Sequence, residues 1–197
     1  MFVTFEGVDG SGKSTQAALL RDALAGEGRE VVLTREPGGT ELGERVRQLV
    51  LNGPEMTPWA EAALFAAARA ELVATVIRPA LEHGADVLSD RYFDSSIAYQ
   101  GIARGVGLEH VLELNLHVVQ GLVPDLTVLL LLDPDEAARR AGETDRLERA
   151  GSGFRERVDA AYRELAQRFP ERIVALDGSR PADELSQVIL ERLRSRI

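Results

Sequence analysis

The feature that most constrains this chain is a glycine-rich run close to its first residue. Residues 7–14 read GVDGSGKS, which matches the phosphate-loop pattern G-x-x-x-x-G-K-[ST]. An apolar stretch precedes the run, and a helix-like stretch of residues 14–25 follows it. The glycines let successive N–H groups turn toward phosphate oxygens, and the helix start adds the positive end of its dipole. The run therefore predicts an α/β fold in which a strand, a tight loop and a helix bind a nucleotide phosphate.

Every residue of this loop is a candidate contact to ATP. Lys13 is the one lysine among 23 basic residues, at a position where a compact ammonium suits phosphates better than a broad guanidinium. We expect Lys13 to bridge the β- and γ-phosphates and the hydroxyl of Ser14 to ligate Mg²⁺. The residues expected to hold the nucleotide are Gly7, Val8, Asp9, Gly10, Ser11, Gly12, Lys13, Ser14 and Thr15.

The composition narrows the class of phosphate-binding protein. A formal net charge of −9 argues against a protein that wraps nucleic acid. A GTPase would need a guanine-reading N-K-x-D motif, which is excluded because the sequence has no second lysine. Motor and helicase ATPases are normally longer. A small-molecule kinase remains, with a regulatory or scaffold protein that binds ATP without turnover as the alternative from a different class.

Length and hydropathy indicate one domain in the cytoplasm. The 197 residues suit a single α/β domain spanning 1–197, and the absence of cysteine excludes disulfides and thiolate metal sites. The longest aliphatic run, residues 128–132, is much shorter than the roughly 20 residues of a membrane-spanning helix. The N-terminus also lacks the basic region of a signal peptide. We therefore expect neither a membrane nor a nucleic acid as a partner.

Strand-like and helix-like segments alternate along the chain, as in a parallel sheet covered by helices. Strands are expected at residues 2–5, 31–34, 86–89, 126–132 and 173–176. Helices are expected at 14–25, 41–51, 58–82, 108–120 and 182–194, with one more starting at 133–135 and one before the fifth strand. The glycines at 101, 105 and 107 predict a loop before residue 108, and residues 142–153 predict a polar loop.

Six separate segments resemble the thymidylate kinase family, in order and at similar spacing. They are FEGVDGSGKSTQ at 5–16, TREPGGT at 34–40, FAAAR at 65–69, DRY at 90–92, AYQG at 98–101 and PDLT at 124–127. The resemblance implies a P-loop NTPase-type three-layer α/β/α fold, with a five-stranded parallel sheet in the order 2-3-1-4-5 and a lid segment. It also implies ATP-dependent phosphorylation of dTMP to dTDP by direct in-line transfer, in dTTP biosynthesis. The alternative is another P-loop kinase that acts on a pyrimidine deoxynucleoside or its monophosphate.

Charged residues follow the second and third strands, at the sheet edge that also carries the phosphate loop. Ligands of open parallel sheets bind beyond the carboxyl ends of the strands, so Arg35, Asp90 and Arg91 are placed to meet a second anion. Two guanidiniums can hold a monophosphate, and the resemblance implies this role for both arginines. Asp90 resembles a Walker B acid on the Mg²⁺ side. The alternatives are solvated arginines and a helix-capping aspartate.

Phe65 and Arg69 are four residues apart on a predicted helix and therefore share a face. The residues alone favour a core phenylalanine beside an arginine that extends toward solvent. The resemblance instead assigns Phe65 to stacking on thymine and Arg69 to a thymine carbonyl.

Four more residues complete the predicted acceptor site. The amide of Gln100 can pair with a pyrimidine edge, and Tyr99 beneath the sugar would leave no room for a 2′-hydroxyl. Asp9 resembles the family residue that meets the sugar 3′-hydroxyl. Ser96 lies close by in the sequence and is included as a substrate contact.

A lid is expected at about residues 139–152. Some thymidylate kinases carry an arginine in the phosphate loop, at the position that Gly10 occupies here. In a second type of thymidylate kinase the catalytic arginines lie in the lid and reach the phosphates when the lid closes, and the segment DRLE at 145–148 resembles the lid of that type. The candidate lid arginines are Arg139, Arg140, Arg146 and Arg149, with one of the first two expected to be a surface residue. The residues expected to act in catalysis are Lys13, Arg91, Arg140 and Arg146.

The helix expected at residues 58–82 is apolar on more than one face. A helix with apolar residues beyond one stripe is buried on two sides. The pattern fits a homodimer, which the resemblance also implies.

Overall fold

Five strands form the centre of the fold in the computed structural model, which describes residues 1–140, 146 and 151–196. The strands are β1 (Phe2–Glu6), β2 (Val31–Arg35), β3 (Asp86–Asp90), β4 (Leu126–Leu131) and β5 (Ile173–Asp177). They pair in parallel in the order β2-β3-β1-β4-β5, which confirms the expected topology. The central strands β1, β3 and β4 are almost wholly buried, as parallel strands covered on both faces must be.

Helices cover both faces of this sheet. They are α1 (Lys13–Gly26), α2 (Glu41–Asn52), α3 (Pro58–Leu72), α4 (Arg78–Glu82), α5 (Phe93–Ser96), α6 (Leu108–Val118), α7 (Pro134–Arg140), α8 (Ser152–Arg168) and α9 (Ala182–Arg194). On one face, Leu20 of α1 and Ile189 of α9 pack with Val128 of β4. On the other face, Leu72 and Tyr162 belong to a larger core. The expected α/β/α layering is confirmed.

The starts of the helices differ in how their N–H groups are satisfied. The hydroxyl of Thr40 accepts a hydrogen bond from Gly43 N at 2.9 Å, and Thr57 caps α3 ahead of Pro58 in its first turn. Helix α1 follows Gly12, which has a φ of 96° and provides no side-chain cap. The first N–H groups of α1 are therefore left for an anion.

The segment before α6 is helical, where the sequence predicted a loop. Helix α5 continues as a π-helix over Ile97–Ala103, and a second π-helical segment, Val73–Ile77, joins α3 to α4. Ile97 and Ala98 are fully buried. Gly101 packs on the next turn of chain, where an added Cβ would lie 3.4 Å from Gly107 O. Burial of these apolar residues outweighs the glycine signal for a loop.

The expected lid lies largely outside the described residues. Residues 141–145 and 147–150 are not described, so the predicted polar loop is covered only at residue 146 and at its end. Helix α7 ends at Arg140, and α8 begins at Ser152. Among the described helices, none is long and apolar enough to cross a membrane.

Candidate active site

The phosphate loop joins β1 to α1 at the carboxyl edge of the sheet. Gly7 has a φ of 137°, and a Cβ on it would lie 2.4 Å from the carbonyl oxygen of Leu130, so no larger residue fits. Gly10 has a φ of 81°, a conformation that L side chains rarely adopt. The backbone therefore explains why an arginine is disfavoured at position 10 of this chain.

Lys13 lies inside this loop and is almost fully buried. Its Nζ donates a hydrogen bond to Val8 O at 2.8 Å and lies 3.5 Å from Oδ1 of Asp9. Burial, followed by the Arg91 guanidinium, lowers the pKa of Lys13 from its usual value, while Asp9 opposes the shift. The loop thus holds a desolvated ammonium whose interaction with an anion is stronger than it would be in water.

Arg91 follows β3 and reaches toward the phosphate loop. Its φ of 74° is left-handed, a strained conformation for a non-glycine residue that is retained mainly at functional sites. Nη2 donates to Asp9 Oδ1 at 2.6 Å, and Nη1 donates to Ser95 Oγ at 2.9 Å and to Tyr162 OH at 3.1 Å. Burial alone would lower the pKa of Arg91, but Asp9 and the neighbouring tyrosines raise it well above its usual value. Arg91 is therefore a fixed cation beside the loop.

Ser14 and Asp90 bring two oxygen ligands together on the other side of the loop. The Ser14 hydroxyl donates a hydrogen bond to Oδ2 of Asp90, the last residue of β3. Mg²⁺ usually takes one or two ligands from the protein and keeps several waters, so a hydroxyl and a carboxylate at a partly open edge fit its donor set. The described residues contain no cluster of three or more His, Cys, Asp or Glu that could hold a metal.

A cleft lies next to Arg91. Two aromatic side chains line it, Phe65 from α3 and Tyr99 from the π-helical segment. The guanidinium carbon of Arg91 lies 5.3 Å from the centroid of the Tyr99 ring, so the tyrosine connects the charged end of the cleft to its apolar end. The predicted substrate residues that the cleft brings together are Asp9, Phe65, Arg91, Ser96, Tyr99 and Gln100.

Arg69 lies behind the wall of this cleft. Nε donates to Glu36 Oε2 at 2.7 Å, Nη1 donates to Ser96 Oγ at 3.1 Å and to Asn115, and Nη2 donates to Tyr92 O at 3.2 Å. Nη2 also lies 2.5 Å from Glu36 Oε2. The buried carboxylate of Glu36 needs a paired cation, which explains this arrangement. A direct contact with a thymine carbonyl, as the resemblance implies, would require one of these hydrogen bonds to be exchanged.

Gln100 and Arg146 share one buried carboxylate. Nε2 of Gln100 donates to Glu61 Oε1 at 2.9 Å, and Nη2 of Arg146 donates to Glu61 Oε2 at 2.6 Å. Nε of Arg146 also donates to Val50 O at 2.9 Å. These partners lie on α2 and α3. The sequence predicted that Arg146 would act at the phosphates, but its guanidinium is hydrogen-bonded away from the phosphate loop. The charge of Glu61 supplies the physical reason.

Arg35 is more exposed than Arg91. Its Nη2 pairs with Glu44 Oε1 at 2.9 Å, and the side chain is 56% exposed. It lines a second opening together with Ser14 and Asp90. The structure thus places Arg35 on the side of the loop that carries Ser14 and Asp90, and not on the wall of the cleft.

The end of α7 lies beside the phosphate loop. Arg140 Nη1 donates to Gly178 O at 3.2 Å. A Cβ on Gly178 would lie 3.3 Å from Ser11 O, so this contact is next to the loop. Arg139 and Arg140 are both exposed on α7, and Arg149 lies outside the described residues.

Comparison with known proteins identifies the family of this arrangement. A family model described as Thymidylate kinase matches residues 5–189. A thymidylate kinase of Leifsonia xyli subsp. xyli is 52% identical over 202 residues, which are 100% of this chain and 96% of the relative. The chain belongs to the thymidylate kinase family.

Further members of the thymidylate kinase family agree in sequence and in backbone. A thymidylate kinase of Deinococcus radiodurans is 48% identical over 200 residues, with 100% of this chain and 97% of the relative covered. The crystal structure of thymidylate kinase from Ehrlichia chaffeensis matches with a TM-score of 0.83 and 33% identity, over 98% of each chain. The activity is ATP-dependent phosphorylation of dTMP to dTDP, and none of these findings favours the alternative pyrimidine kinase.

Glu6 is a site residue that sequence reasoning misses in this thymidylate kinase family member. It is fully buried at the end of β1 and accepts hydrogen bonds from Ser95 Oγ at 2.5 Å and Tyr162 OH at 2.9 Å. Burial is the main reason that its pKa rises to about 7. Ser95 and Tyr162 also bind Arg91, so Glu6 supports that arginine from behind. The available signal was a carboxylate that ends an otherwise apolar strand.

Glu36 and Arg47 also line the cleft without having been predicted. Oε1 of Glu36 is buried and has no hydrogen-bond partner among the described residues. Nη1 of Arg47 donates to Pro37 O at 3.0 Å. Glu36 lies in the TREPGGT segment, which was a usable signal, whereas no local pattern distinguishes Arg47 from Arg45, the other arginine of α2.

Proposed function

We propose that the phosphoryl group passes in line from ATP at the phosphate loop to dTMP in the cleft, without a covalent intermediate. The observation that carries this proposal is the shared carboxylate of Asp9, which lies 3.5 Å from Lys13 and 2.6 Å from Arg91. A lysine suited to the ATP phosphates and an arginine suited to the acceptor phosphate are therefore neighbours. In such reactions catalysis consists mainly of positioning two phosphates and offsetting their charge.

On the donor side, residues 7–15 hold ATP in this proposal. Main-chain N–H groups and the uncapped start of α1 meet the phosphate oxygens, and Lys13 bridges the β- and γ-phosphates. Ser14 and Asp90 hold Mg²⁺, directly or through water. The bound ion would neutralise charge that develops on the transferred group.

On the acceptor side, Arg91 binds the phosphate of dTMP and Arg35 adds positive charge from the loop after β2. The ring of Phe65 stacks on thymine, and Tyr99 lies against the sugar, whose 3′-hydroxyl meets Asp9. Three residues serve the edge of the base in this proposal: Arg69, Ser96 and Gln100. Support comes from the cleft that brings most of these side chains together.

The lid at about residues 139–152 supplies the remaining positive charge. Arg140 is the better-placed candidate because its end of α7 adjoins the phosphate loop through Gly178. Arg146 acts at the transferred phosphate only if it leaves Glu61, since its hydrogen bonds now lie on α2 and α3. Both remain candidates for the cation that stabilises the transition state.

We further propose that residues 1–197 form one domain, that the protein is cytoplasmic and that it is a homodimer. The sequence predicted a second apolar side for the helix at 58–82, and Trp59, Ala63 and Ala67 are exposed there on α3, with Trp59 at 51%. An exposed apolar patch of this kind marks protein interfaces. Sedimentation at micromolar concentration should give a dimer, and a monomer across that range would contradict the proposal.

A coupled ADP-release assay tests the proposed reaction. The values to compare are kcat/KM for dTMP, dUMP, UMP, dCMP and dGMP with ATP and Mg²⁺. We expect dTMP to be the best acceptor and activity to disappear when Mg²⁺ is chelated. A purine or a ribonucleotide as best acceptor would contradict the assigned cleft. ATP binding without ADP release for any acceptor would instead favour a non-catalytic protein.

A further inference from the structure

Glu61 is a buried carboxylate that the reaction described above does not use. It lies in the first turn of α3 and is 1% exposed. Two arginines approach it, Arg146 at 2.6 Å from Oε2 and Arg104 at 3.5 Å from Oε1. Oε1 also accepts a hydrogen bond from Nε2 of Gln100 at 2.9 Å. A charge this deeply buried is costly unless each oxygen is satisfied, so its position is closely determined.

Helix geometry places Glu61 directly behind the base end of the cleft. Glu61 and Phe65 are four residues apart on α3, so their side chains lie on the same face, one turn from each other. Phe65 lines the cleft and Gln100 does too, whereas Glu61 lies behind the Gln100 amide. Gln100 therefore separates the carboxylate from the place where a base would lie.

The carboxylate decides which way the Gln100 amide is turned. An amide has one end that donates hydrogen bonds and one end that accepts them, and the two are nearly identical in shape. A carboxylate paired with two arginines can only accept, so the NH₂ end of Gln100 must face Glu61. Among the described residues, this bond to Glu61 is the hydrogen bond that the Gln100 side chain makes. The carbonyl oxygen Oε1 is therefore the amide atom offered to the cleft.

We propose that Glu61 is a positioning residue that sets base specificity, by fixing Gln100 so that it presents a hydrogen-bond acceptor to the pyrimidine. This inference rests on the proposed placement of the base beside Phe65 and Gln100. Thymine and uracil carry a hydrogen on N3 and can donate it to such an acceptor. Cytosine carries a lone pair on N3, which would face the lone pairs of Oε1. Glu61 thus excludes dCMP without touching it.

The inference predicts opposite behaviour for two substrate comparisons. Uracil and thymine have the same N3–H and differ only in the 5-methyl group, so the dTMP to dUMP ratio of kcat/KM should not depend on Glu61. The dTMP to dCMP ratio should depend on it strongly. A residue that merely supported the fold would alter all three substrates by one common factor.

The decisive variant is Glu61→Gln, which keeps the size of the side chain but offers Gln100 a donor as well as an acceptor. The Gln100 amide can then turn over and present NH₂ to the cleft. We expect the dTMP to dCMP ratio of kcat/KM to fall by about tenfold or more, chiefly through a higher KM for dTMP and a lower KM for dCMP. The dTMP to dUMP ratio should stay within about twofold of the unsubstituted protein.

Asp86→Asn is a matched control. Asp86 is also a buried carboxylate paired with an arginine, with Arg29 Nε at 2.6 Å, but it lies at the start of β3 on the opposite edge of the sheet. Asp86→Asn should lower the free energy of unfolding and leave the dTMP to dCMP and dTMP to dUMP ratios of kcat/KM unchanged. If Glu61→Gln does not fold, as judged by thermal unfolding, Glu61→Gln/Arg146→Met removes the unpaired guanidinium. The dTMP to dCMP and dTMP to dUMP ratios of kcat/KM are then measured in that double variant. A general loss of turnover lowers both values in each ratio by the same factor and therefore does not change the ratio.

Calorimetric Kd values for dTMP and dCMP without ATP give the same comparison independently of turnover. If Glu61→Gln lost affinity for dTMP and dCMP equally, so that the ratio of the two Kd values stayed the same, the role of Glu61 would be disproved. The proposed function would still stand in that case, because it depends on the preference of the unsubstituted protein for dTMP. An unsubstituted protein that accepts dCMP as well as dTMP would contradict both, because the cleft would then not read N3.

Discussion

The phosphate loop, the proposed donor site, offers main-chain groups, whereas the proposed acceptor cleft is lined by side chains that other side chains hold in place. In the loop, Gly7 cannot be replaced because its neighbour Leu130 leaves no room for a Cβ. At the cleft, buried carboxylates hold three of the polar side chains: Glu36 pairs with Arg69, Glu61 accepts from Gln100, and Glu6 reaches Arg91 through Ser95 and Tyr162. The two halves of the site should therefore respond differently to substitution.

The difference separates the determinants of rate from those of stability. Lys13 of the loop donates to a main-chain oxygen, and its other partner, Asp9, also pairs with Arg91, so removing Lys13 leaves no carboxylate without a cation. Arg69, behind the cleft wall, forms a buried ion pair with Glu36, and its removal leaves a charge without a partner. Substitutions on the donor side should lower turnover, and those on the acceptor side should also lower the free energy of unfolding.

The largest expected effect is the loss of turnover in Lys13→Ala. We expect kcat to fall by about 1,000-fold or more, because the ammonium is the fixed charge at the transferred phosphate. Lys13→Arg should be nearly as damaging, since a guanidinium cannot fit where Nζ donates to Val8 O at 2.8 Å. The melting temperature of Lys13→Ala should change little. Near-normal activity of the arginine variant would show that charge alone suffices.

Arg69→Met tests the acceptor side by stability. We expect the free energy of unfolding in urea to fall by about 3 kcal/mol, because Glu36 is left buried and unpaired. The double variant Arg69→Met/Glu36→Leu should recover part of that loss. Arg45→Met is the control, since its pair with Glu41 is exposed and should contribute about 0.5 kcal/mol or less. Equal losses in Arg69→Met and Arg45→Met would remove the distinction between the two halves.

Glu6→Gln tests the carboxylate behind Arg91 by pH. Because the folded-state pKa of Glu6 is raised from 4.5 to about 7, the unfolded chain binds fewer protons than the folded one between these values. The contribution of Glu6 to stability therefore falls as pH rises through that window, by about 2 kcal/mol between pH 5 and pH 7.5. Unfolding free energies measured across this range should fall less steeply in Glu6→Gln. Parallel curves for the two proteins would contradict the raised pKa.

The smallest expected effects concern the sugar and the methyl group. The 5-methyl group adds apolar contact worth about 1–3 kcal/mol, so dTMP should exceed dUMP tens-fold in kcat/KM. UMP should be far worse than dUMP if the ring of Tyr99 blocks the 2′-hydroxyl. Tyr99→Phe should then keep this discrimination, and Tyr99→Ala should relax it. A Tyr99→Ala protein that still rejects UMP would place the block elsewhere.

Local patterns predicted most of the fold, because the strands and the loop are determined by neighbouring residues. The apolar runs located all five strands, and the glycine spacing located the phosphate loop together with Lys13 and Ser14. The π-helix at Ile97–Ala103 was not predicted, since Gly101 within it and the glycines at 105 and 107 after it indicate a loop, and its burial depends on distant elements.

The cleft was harder to predict because its partners are far apart in sequence. Tyr162 lies 156 residues from Glu6, and Gln100 lies 39 residues from Glu61. No spacing rule joins such pairs. Arg69 and Arg146 were predicted as site residues from the motifs, but their engagement with Glu36 and Glu61 depends on which carboxylates the fold buries beside them.

The π-helix that carries Tyr99 and Gln100 has a consequence for how this chain can vary in length. A π-helical turn closes its hydrogen bonds over one more residue than an α-helical turn. Deleting one residue from 97–103 would restore α-helical phase and rotate the following side chains by about 100° around the axis. The amide would then be carried off the face that meets Glu61. We therefore expect this segment to keep its number of residues.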